Sequence, residues 1–334
     1  MDEIKWGIIG TGWIATKFVR DLRLLPDHRV VAAGSRRPET AEEFAAREEI
    51  PRAYGSYEEL CADPEVDVVY AATPHPFHAH DALLALAAGK HVLCEKPFTI
   101  NSDEAAAVIV AARAEGRFCM EAMWTRFAPH MRRIRELLDA GALGEVRTVI
   151  ADHGQRFLPP DFSSRLYAPE LGGGALLDLG IYPLSFASYV LGTPDKVTAV
   201  GDLTETGVDA QTSVVLQYDG GRHAVLTTTL GAETPTGASI TGTEGRIEID
   251  PVWYQPSSFT FRPVVGEPER FAEPPTGNGL RYQAEEVGRC LRDGLTESPI
   301  MSLDETLSIM TTMDEIRRQI GLRYPFEPRL TAGL

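Results

Sequence analysis

The apolar positions of this chain fall into two rhythms, and the change comes near residue 123. Before it, short continuous apolar runs at 6–10, 30–33, 66–72 and 91–95 alternate with helix-length segments at 14–23, 39–47, 78–88 and 103–115, and a further run follows at 118–123. Continuous runs suit strands buried on both faces. Strands parted by helices of this length predict βαβ units and a parallel sheet. After a helix at 129–140 come strand-like segments at 146–152, 196–202, 212–217, 223–229, 238–241, 246–249 and 259–261, several alternating apolar with polar. Glycine turns such as Asp219-Gly220-Gly221 separate them, which predicts a large, mainly antiparallel open sheet with one face packed on helices. Helical spacing returns at 280–291 and 303–320. The expectation is an α/β protein: a Rossmann dinucleotide-binding domain at 1–122 and an α+β domain at 123–334 for substrate binding and oligomerisation. The last helix is a candidate to return to the first domain.

Composition narrows the partners. A chain of 334 residues, 43 % of them apolar, exceeds the usual single core. Its 48 acidic against 32 basic residues give a charge of −16, which disfavours nucleic acid and anionic membranes. Cys61, Cys94, Cys119 and Cys290 are too widely spaced for CxxC pairs and sit in apolar surroundings, so neither a disulfide framework nor a metal site is expected. The start of the chain enters a strand with no room for a signal peptide, and no apolar run approaches about 18 residues. A cytoplasmic protein without a membrane span is expected.

The chemistry begins after the first strand. Gly10-Thr11-Gly12-Trp13-Ile14-Ala15 has the GxGxxA spacing that lets backbone approach a pyrophosphate at a helix N-terminus. At the second strand end, where an acid would take the ribose 2′-hydroxyl of NAD, the chain reads Ser35-Arg36-Arg37. Two arginines there favour the 2′-phosphate of NADP. The next strand end, Ala72-Thr73-Pro74-His75-Pro76-Phe77-His78, is stiffened by prolines, and Thr73 and His75 offer hydrogen bonds toward a nicotinamide ribose. The run His91–Glu95 delivers Lys96 to a strand's carboxyl end, where ligands of open α/β sheets bind.

These motifs together resemble the Gfo/Idh/MocA oxidoreductases: Gly10-x-Gly12-x-x-Ala15, the Ala-Thr-Pro loop ending at His78, Glu95-Lys96-Pro97 and Asp178-x-Gly180-x-Tyr182. The stretches from Glu121 to Phe127 and from Gly172 to Tyr182 are similar to the branch holding dimeric dihydrodiol dehydrogenases and NADP-dependent D-xylose dehydrogenases. His75 stands where many members carry Asn, and Tyr182 where many carry His; both departures fit that branch. The resemblance implies that Lys96 and Tyr182 are the catalytic pair, that Asp178 binds substrate hydroxyls, and that Arg165 and Tyr282 approach the cofactor. It also implies a homodimer or homotetramer, for which the exposed face of the second sheet is the expected contact.

If residues 176–187 are helical, Asp178 and Tyr182 lie four apart on one face, with Gly180 leaving room for a ring to approach. Removing a carbinol proton needs a base, and a lysine near a tyrosine favours phenolate. Either Lys96 or Tyr182 can take the proton. Trp124, Phe127, Phe157 and Trp253 are candidates for an aromatic wall, and Arg126 and Arg156 for hydroxyl contacts. The expected function is NAD(P)-dependent hydride transfer at a carbinol carbon of a pyranose sugar or cyclic trans-diol. The alternatives are a 1,5-anhydrofructose or other ketosugar reductase and a non-catalytic NADP-binding sensor or scaffold.

Overall fold

The structure, a computed structural model, describes residues 3–158, 160–274 and 276–327. Six strands, β1 (Ile4–Ile9), β2 (His28–Gly34), β3 (Arg52–Tyr54), β4 (Val68–Ala71), β5 (His91–Glu95) and β6 (Cys119–Ala122), form an all-parallel sheet in the order β3-β2-β1-β4-β5-β6. Every residue of β4 and β6 is buried, so both sheet faces are covered, which is why these strands read as continuous apolar runs. Helices α1 (Trp13–Leu22), α2 (Pro38–Arg47), α3 (Tyr57–Ala62), α4 (His78–Ala87) and α5 (Ser102–Glu115) connect them. The three-residue β3 and the six-residue α3 were not expected from the pattern: both are too short to show a period. Strand order reverses between β1 and β4, the place where such sheets open a ligand crevice.

After α6 (Pro129–Asp139) comes the second sheet: β7 (Val146–Gly154), β8 (Lys196–Leu203), β9 (Asp209–Tyr218), β10 (Arg222–Thr229), β11 (Ala238–Gly242), β12 (Gly245–Ile249), β13 (Phe259–Pro263) and β14 (Glu269–Phe271). Its order is β14-β13-β12-β11-β7-β10-β9-β8, antiparallel except for the central β7–β10 pair, which is parallel. Val149, Ala224 and Leu216 lie in register on the buried face. Their neighbours Ile150, Val225 and Val215 form a row on the other face and are 51, 44 and 37 % exposed.

A π-helical turn, Leu176–Gly180, runs directly into α7 (Ile181–Leu191). The surrounding stretch Pro169–Leu191 is long and apolar enough to cross a membrane, contrary to the expectation that no run approaches that length, but 89 % of its most apolar 18-residue window is buried inside the protein, as in a core helix. Two closing helices, α8 (Arg281–Arg292) and α9 (Leu303–Ile320), pack back on the first sheet's side. Gly288 of α8 lies against His28 and Ile4. From α9, Asp314 accepts from the Ser102 N–H at 2.8 Å, and Arg317 donates to the Ile100 carbonyl at 2.9 Å.

Candidate active site

A cleft of about 1200 Å³ opens along the carboxyl ends of β1, β2, β4 and β5 and is closed on its other side by β7 and the π turn. That volume exceeds the roughly 300–1,000 Å³ of ordinary small-ligand sites and leaves room for a dinucleotide and a substrate together. At its floor, Gly10 has φ +94°, and a Cβ there would sit 2.6 Å from the Ala72 carbonyl oxygen, so only glycine lets β1 end against β4. Gly12 caps α1, and a Cβ built on it meets nothing within 4 Å. The open space in front of the helix's unpaired N–H groups suits a pyrophosphate. Thr11, Trp13 and Ile14 continue the wall, with Trp13 61 % exposed beneath Lys17. Ser35, Arg36 and Arg37 follow at the end of β2; both arginines are exposed, and among the described residues neither pairs with a carboxylate. Arg36 lies over the Phe77 ring, 5.0 Å from its centre.

The β4 loop is more tightly tied than its sequence suggests. Thr73 donates its hydroxyl proton to Asp81 at 2.6 Å, and His75 Nδ1 lies 3.0 Å from the Gly172 carbonyl. Burial pushes the His75 imidazole down to about 3, against the pull of Asp178. His78 is fully buried, with its two ring nitrogens 2.8 Å from the carbonyls of Pro97 and Thr73, so it ties the β4 loop to the β5 loop. All three line the cleft with Ala72, but the hydrogen bonds expected of Thr73 and His75 toward a ribose go to protein partners in this structure.

Lys96, Asp178, Tyr182 and Arg165 meet in one place. Lys96 Nζ donates to the Asp178 carbonyl at 2.8 Å, stands 3.7 Å from Asp178 Oδ1 and lies over the Tyr182 ring. Arg165 donates to Asp178 Oδ1 at 2.9 Å. Burial alone would raise the Asp178 carboxyl, but Lys96 and Arg165 hold it well below the usual carboxylate range. Tyr182 Oη accepts from the Trp124 indole N–H at 3.0 Å. Burial raises this phenol well above its ordinary value, the Trp124 hydrogen bond opposing and the charges of Glu95 and Asp178 adding. Glu95, at the end of β5, accepts from the Tyr70 hydroxyl and from the Lys96 N–H, which fixes the backbone that carries Lys96. The cluster therefore offers a neutral phenol, an ammonium and an ionised carboxylate to one ligand.

The π turn changes one expectation. Asp178 and Tyr182 do share the cleft, but Gly180 makes no room for a substrate ring: its missing Cβ is matched by Thr228 of β10 and Leu176, each 3.1 Å from the built position. Gly172, with φ +68°, is a close approach to Ile100 and His75.

Of the expected wall, Trp124 and Phe157 line the cleft. Trp253 does not; it is fully buried against Phe186 and donates to the Asp152 carbonyl at 2.9 Å. Arg126 is also turned inward, donating to Ser185 Oγ and the Ser185 carbonyl at 2.8 Å and pairing with Glu305 of α9. Phe127 is core, Arg156 donates to the Leu158 carbonyl at 3.2 Å, and Tyr282 is buried in α8 away from the cleft lining, accepting from Arg281. Lining residues not anticipated from the sequence include Lys17, Thr40, Tyr57, His153, Gln155, Tyr254, Gln255 and Asn278. The β7 alternation could have given His153 and Gln155, since both continue one face of the strand. Among the described residues no group of three His, Cys, Asp or Glu side chains could hold a metal ion.

Residues 4–123 match the Gfo/Idh/MocA oxidoreductase family's NAD-binding Rossmann fold, and residues 131–248 match the family's C-terminal domain. The chain is 44 % identical over 333 residues to trans-1,2-dihydrobenzene-1,2-diol dehydrogenase of Xenopus laevis, covering 96 % of this chain and 99 % of that one. It is similar to the solved aldose-aldose oxidoreductase from Caulobacter crescentus complexed with glycerol (TM-score 0.86, 29 % identity, 95 % of this chain and 97 % of that one). A 3-ketoreductase from Actinomadura kijaniata in complex with NADP and TDP-benzene is also similar (TM-score 0.83, 28 % identity, 95 % and 98 %).

Proposed function

The chain belongs to the Gfo/Idh/MocA oxidoreductase family and is a nicotinamide-dependent oxidoreductase of CH–OH groups, and on that premise we propose that it uses NADP to oxidise a carbinol of a pyranose sugar or cyclic trans-diol. The observation that carries this reading is the meeting of Lys96, Asp178 and Tyr182 in the same cleft as the open glycine loop. Bound NADP supplies the hydride acceptor. Gly10, Gly12 and the N-terminus of α1 would hold its pyrophosphate, and the exposed Arg36 and Arg37 its 2′-phosphate; the open space at Gly12 and the lack of an acid at the end of β2 fit that group.

The residues divide the remaining work. Asp178, ionised throughout the neutral range, accepts from the hydroxyl next to the reacting carbon. Tyr182 meets the reacting hydroxyl. As a neutral phenol it donates a proton in the reductive direction, and by microscopic reversibility it accepts one in the oxidative direction once the Lys96 charge is brought to bear. Trp124, by donating to the phenol oxygen, stabilises the phenolate form.

For assembly, the exposed row of Ile150, Val225 and Val215 supports a homodimer through the outer face of the second sheet. Four buried free thiols fit a reducing compartment, and we place the enzyme in the cytoplasm. The test of the substrate class is a panel of D-xylose, D-glucose, 1,5-anhydrofructose and trans-dihydrodiols with NADP and NAD, followed by reduced-nicotinamide absorbance. Turnover of a sugar or diol with NADP is expected. Tight NADP binding with no turnover of any of them would overturn the reading.

A further inference from the structure

The loops that carry Lys96 and Asp178 are clasped from behind by the end of α9 and the segment that follows it. Gly321, with φ +76°, ends that helix, and the chain turns so that Tyr324 is buried, 3 % exposed. Two hydrogen bonds leave this corner. The buried Arg317 guanidinium donates to the Ile100 carbonyl at 2.9 Å, four residues beyond Lys96. The Tyr324 hydroxyl donates to the Gly173 carbonyl at 2.7 Å, five residues before Asp178. The two donors are themselves joined, because the guanidinium lies over the Tyr324 ring, 4.8 Å from its centre. Glu327 completes the corner by accepting from Arg317 and from the Tyr324 N–H.

The clasped loops also touch each other. A Cβ built on Gly172 would lie 2.7 Å from Ile100 Cδ1, so only glycine lets the two loops close to this contact. How far they close sets where Lys96 stands relative to the π turn, which carries Asp178 and leads into Tyr182. Neither Arg317 nor Tyr324 lines the cleft. Proton transfer nevertheless depends on placement, and a shift of about 1 Å in a reacting group can cost roughly 100-fold in rate. Resting on the reading of Tyr182 as the proton-transfer group, we propose that Arg317 and Tyr324 are positioning residues: they hold the Lys96 loop against the Asp178 loop and so keep the ammonium over the Tyr182 ring. Lys96 and Glu95 face that ring from the end of β5, Asp178 from the π turn, His153 from β7 and Tyr254 from the loop between β12 and β13. Burial keeps His153 neutral, so Lys96 is the cation among them that favours phenolate. Loosening the clasp weakens that help, although neither positioning residue touches substrate or cofactor.

The experiment is Tyr324→Phe, which removes one hydroxyl and keeps the ring under Arg317. The pH profile of kcat for oxidation with NADP is measured on D-xylose or trans-1,2-dihydrobenzene-1,2-diol, whichever the unaltered enzyme turns over faster, beside Tyr182→Phe. NADP affinity and thermal unfolding are measured on the same preparations. The pH of half-maximal kcat is expected to move up by at least about half a unit, which is a fall in kcat of about threefold below that pH, with NADP affinity within twofold. A merely structural corner would lower the unfolding temperature and the active fraction while leaving that pH in place, and this result overturns the proposal, as does an unchanged profile. Arg317→Lys keeps the charge but cannot span Ile100 and the Tyr324 ring together. It is expected to give the same upward shift, and it carries the test should Tyr324→Phe not fold. A loss of turnover in Tyr182→Phe with no shift in Tyr324→Phe rejects the positioning role alone. If neither compound is turned over, or Tyr182→Phe keeps full turnover, the reading beneath fails and the inference falls with it.

Discussion

The Lys96 ammonium lies over the ring of Tyr182, 4.8 Å from its centre, anchored by its hydrogen bond to the Asp178 carbonyl. That carbonyl is free for it because of local backbone chemistry: the turn is π-helical, and Pro183, five residues on, has no N–H to offer. The cation thus reaches the tyrosine across the cleft from the end of β5, while the tyrosine and the carbonyl come from one turn of the second half of the chain. Neither half holds the cluster by itself.

Asp178→Asn keeps that carbonyl and removes only the carboxylate charge. Loss of a charge-assisted hydrogen bond to the substrate is expected to raise KM by roughly 10–100-fold, with NADP affinity kept within threefold. Steady-state kinetics and fluorescence titration of NADP check this. An equal loss of NADP affinity would assign Asp178 to the cofactor instead.

Arg36→Ala combined with Arg37→Ala removes two exposed guanidiniums from the end of β2. NADP should bind roughly 10–100-fold more weakly, and NAD within threefold of its original affinity. Parallel loss for both nucleotides would show that these arginines do not read the 2′-phosphate.

The Trp6 indole donates to His28 Nδ1 at 3.1 Å, and burial, aided by Arg292 and opposed by Asp27, pushes this imidazole down to about 4. The folded-state value is depressed, so the unfolded chain binds the proton first as pH falls through 6.5. His28 therefore contributes full stability above that value and loses it progressively toward pH 4. Between pH 7.5 and 5 the loss from this one residue is about 2 kcal/mol. Denaturant unfolding of His28→Gln should show a pH dependence shallower by that amount; identical slopes would remove His28 from the acid response.

Val225→Lys places a charge in the middle of the exposed row between Ile150 and Val215. Light scattering is expected to report a dimer for the unaltered chain and a smaller species for the variant. A clean monomer for the unaltered chain would contradict assembly through this face.

Much of the frame was legible in the chain. Buried parallel strands show as unbroken apolar runs, and the glycines at 10 and 12 announce a tight approach that the structure places against Ala72 and in front of α1. The end of β5 pointed to Lys96 and the family resemblance implied its pairing with Asp178 and Tyr182, and the cleft brings the three together. What escaped depends on tertiary context. Trp253 and Arg126 look like site residues by type, yet the packing of Phe186 and the pairing with Glu305 draw them inward. The alternation along β7 sets His153 and Gln155 on one face, but that this face meets the cleft, with Tyr254 from the loop between β12 and β13, follows from the strand order of the second sheet, which no local pattern encodes. The π turn is equally invisible, since its apolar content reads as plain helix.

The most direct measurement is turnover by Tyr182→Phe beside the unaltered enzyme, with NADP and whichever sugar or diol the panel identifies, and NADP binding measured on the same preparations. Removing one hydroxyl leaves the ring beneath Lys96 in place. The expected result is a fall in kcat of at least about 100-fold with NADP affinity within threefold. Turnover within threefold of the unaltered enzyme would contradict a proton-transfer role for Tyr182 and with it the catalytic reading of the cluster.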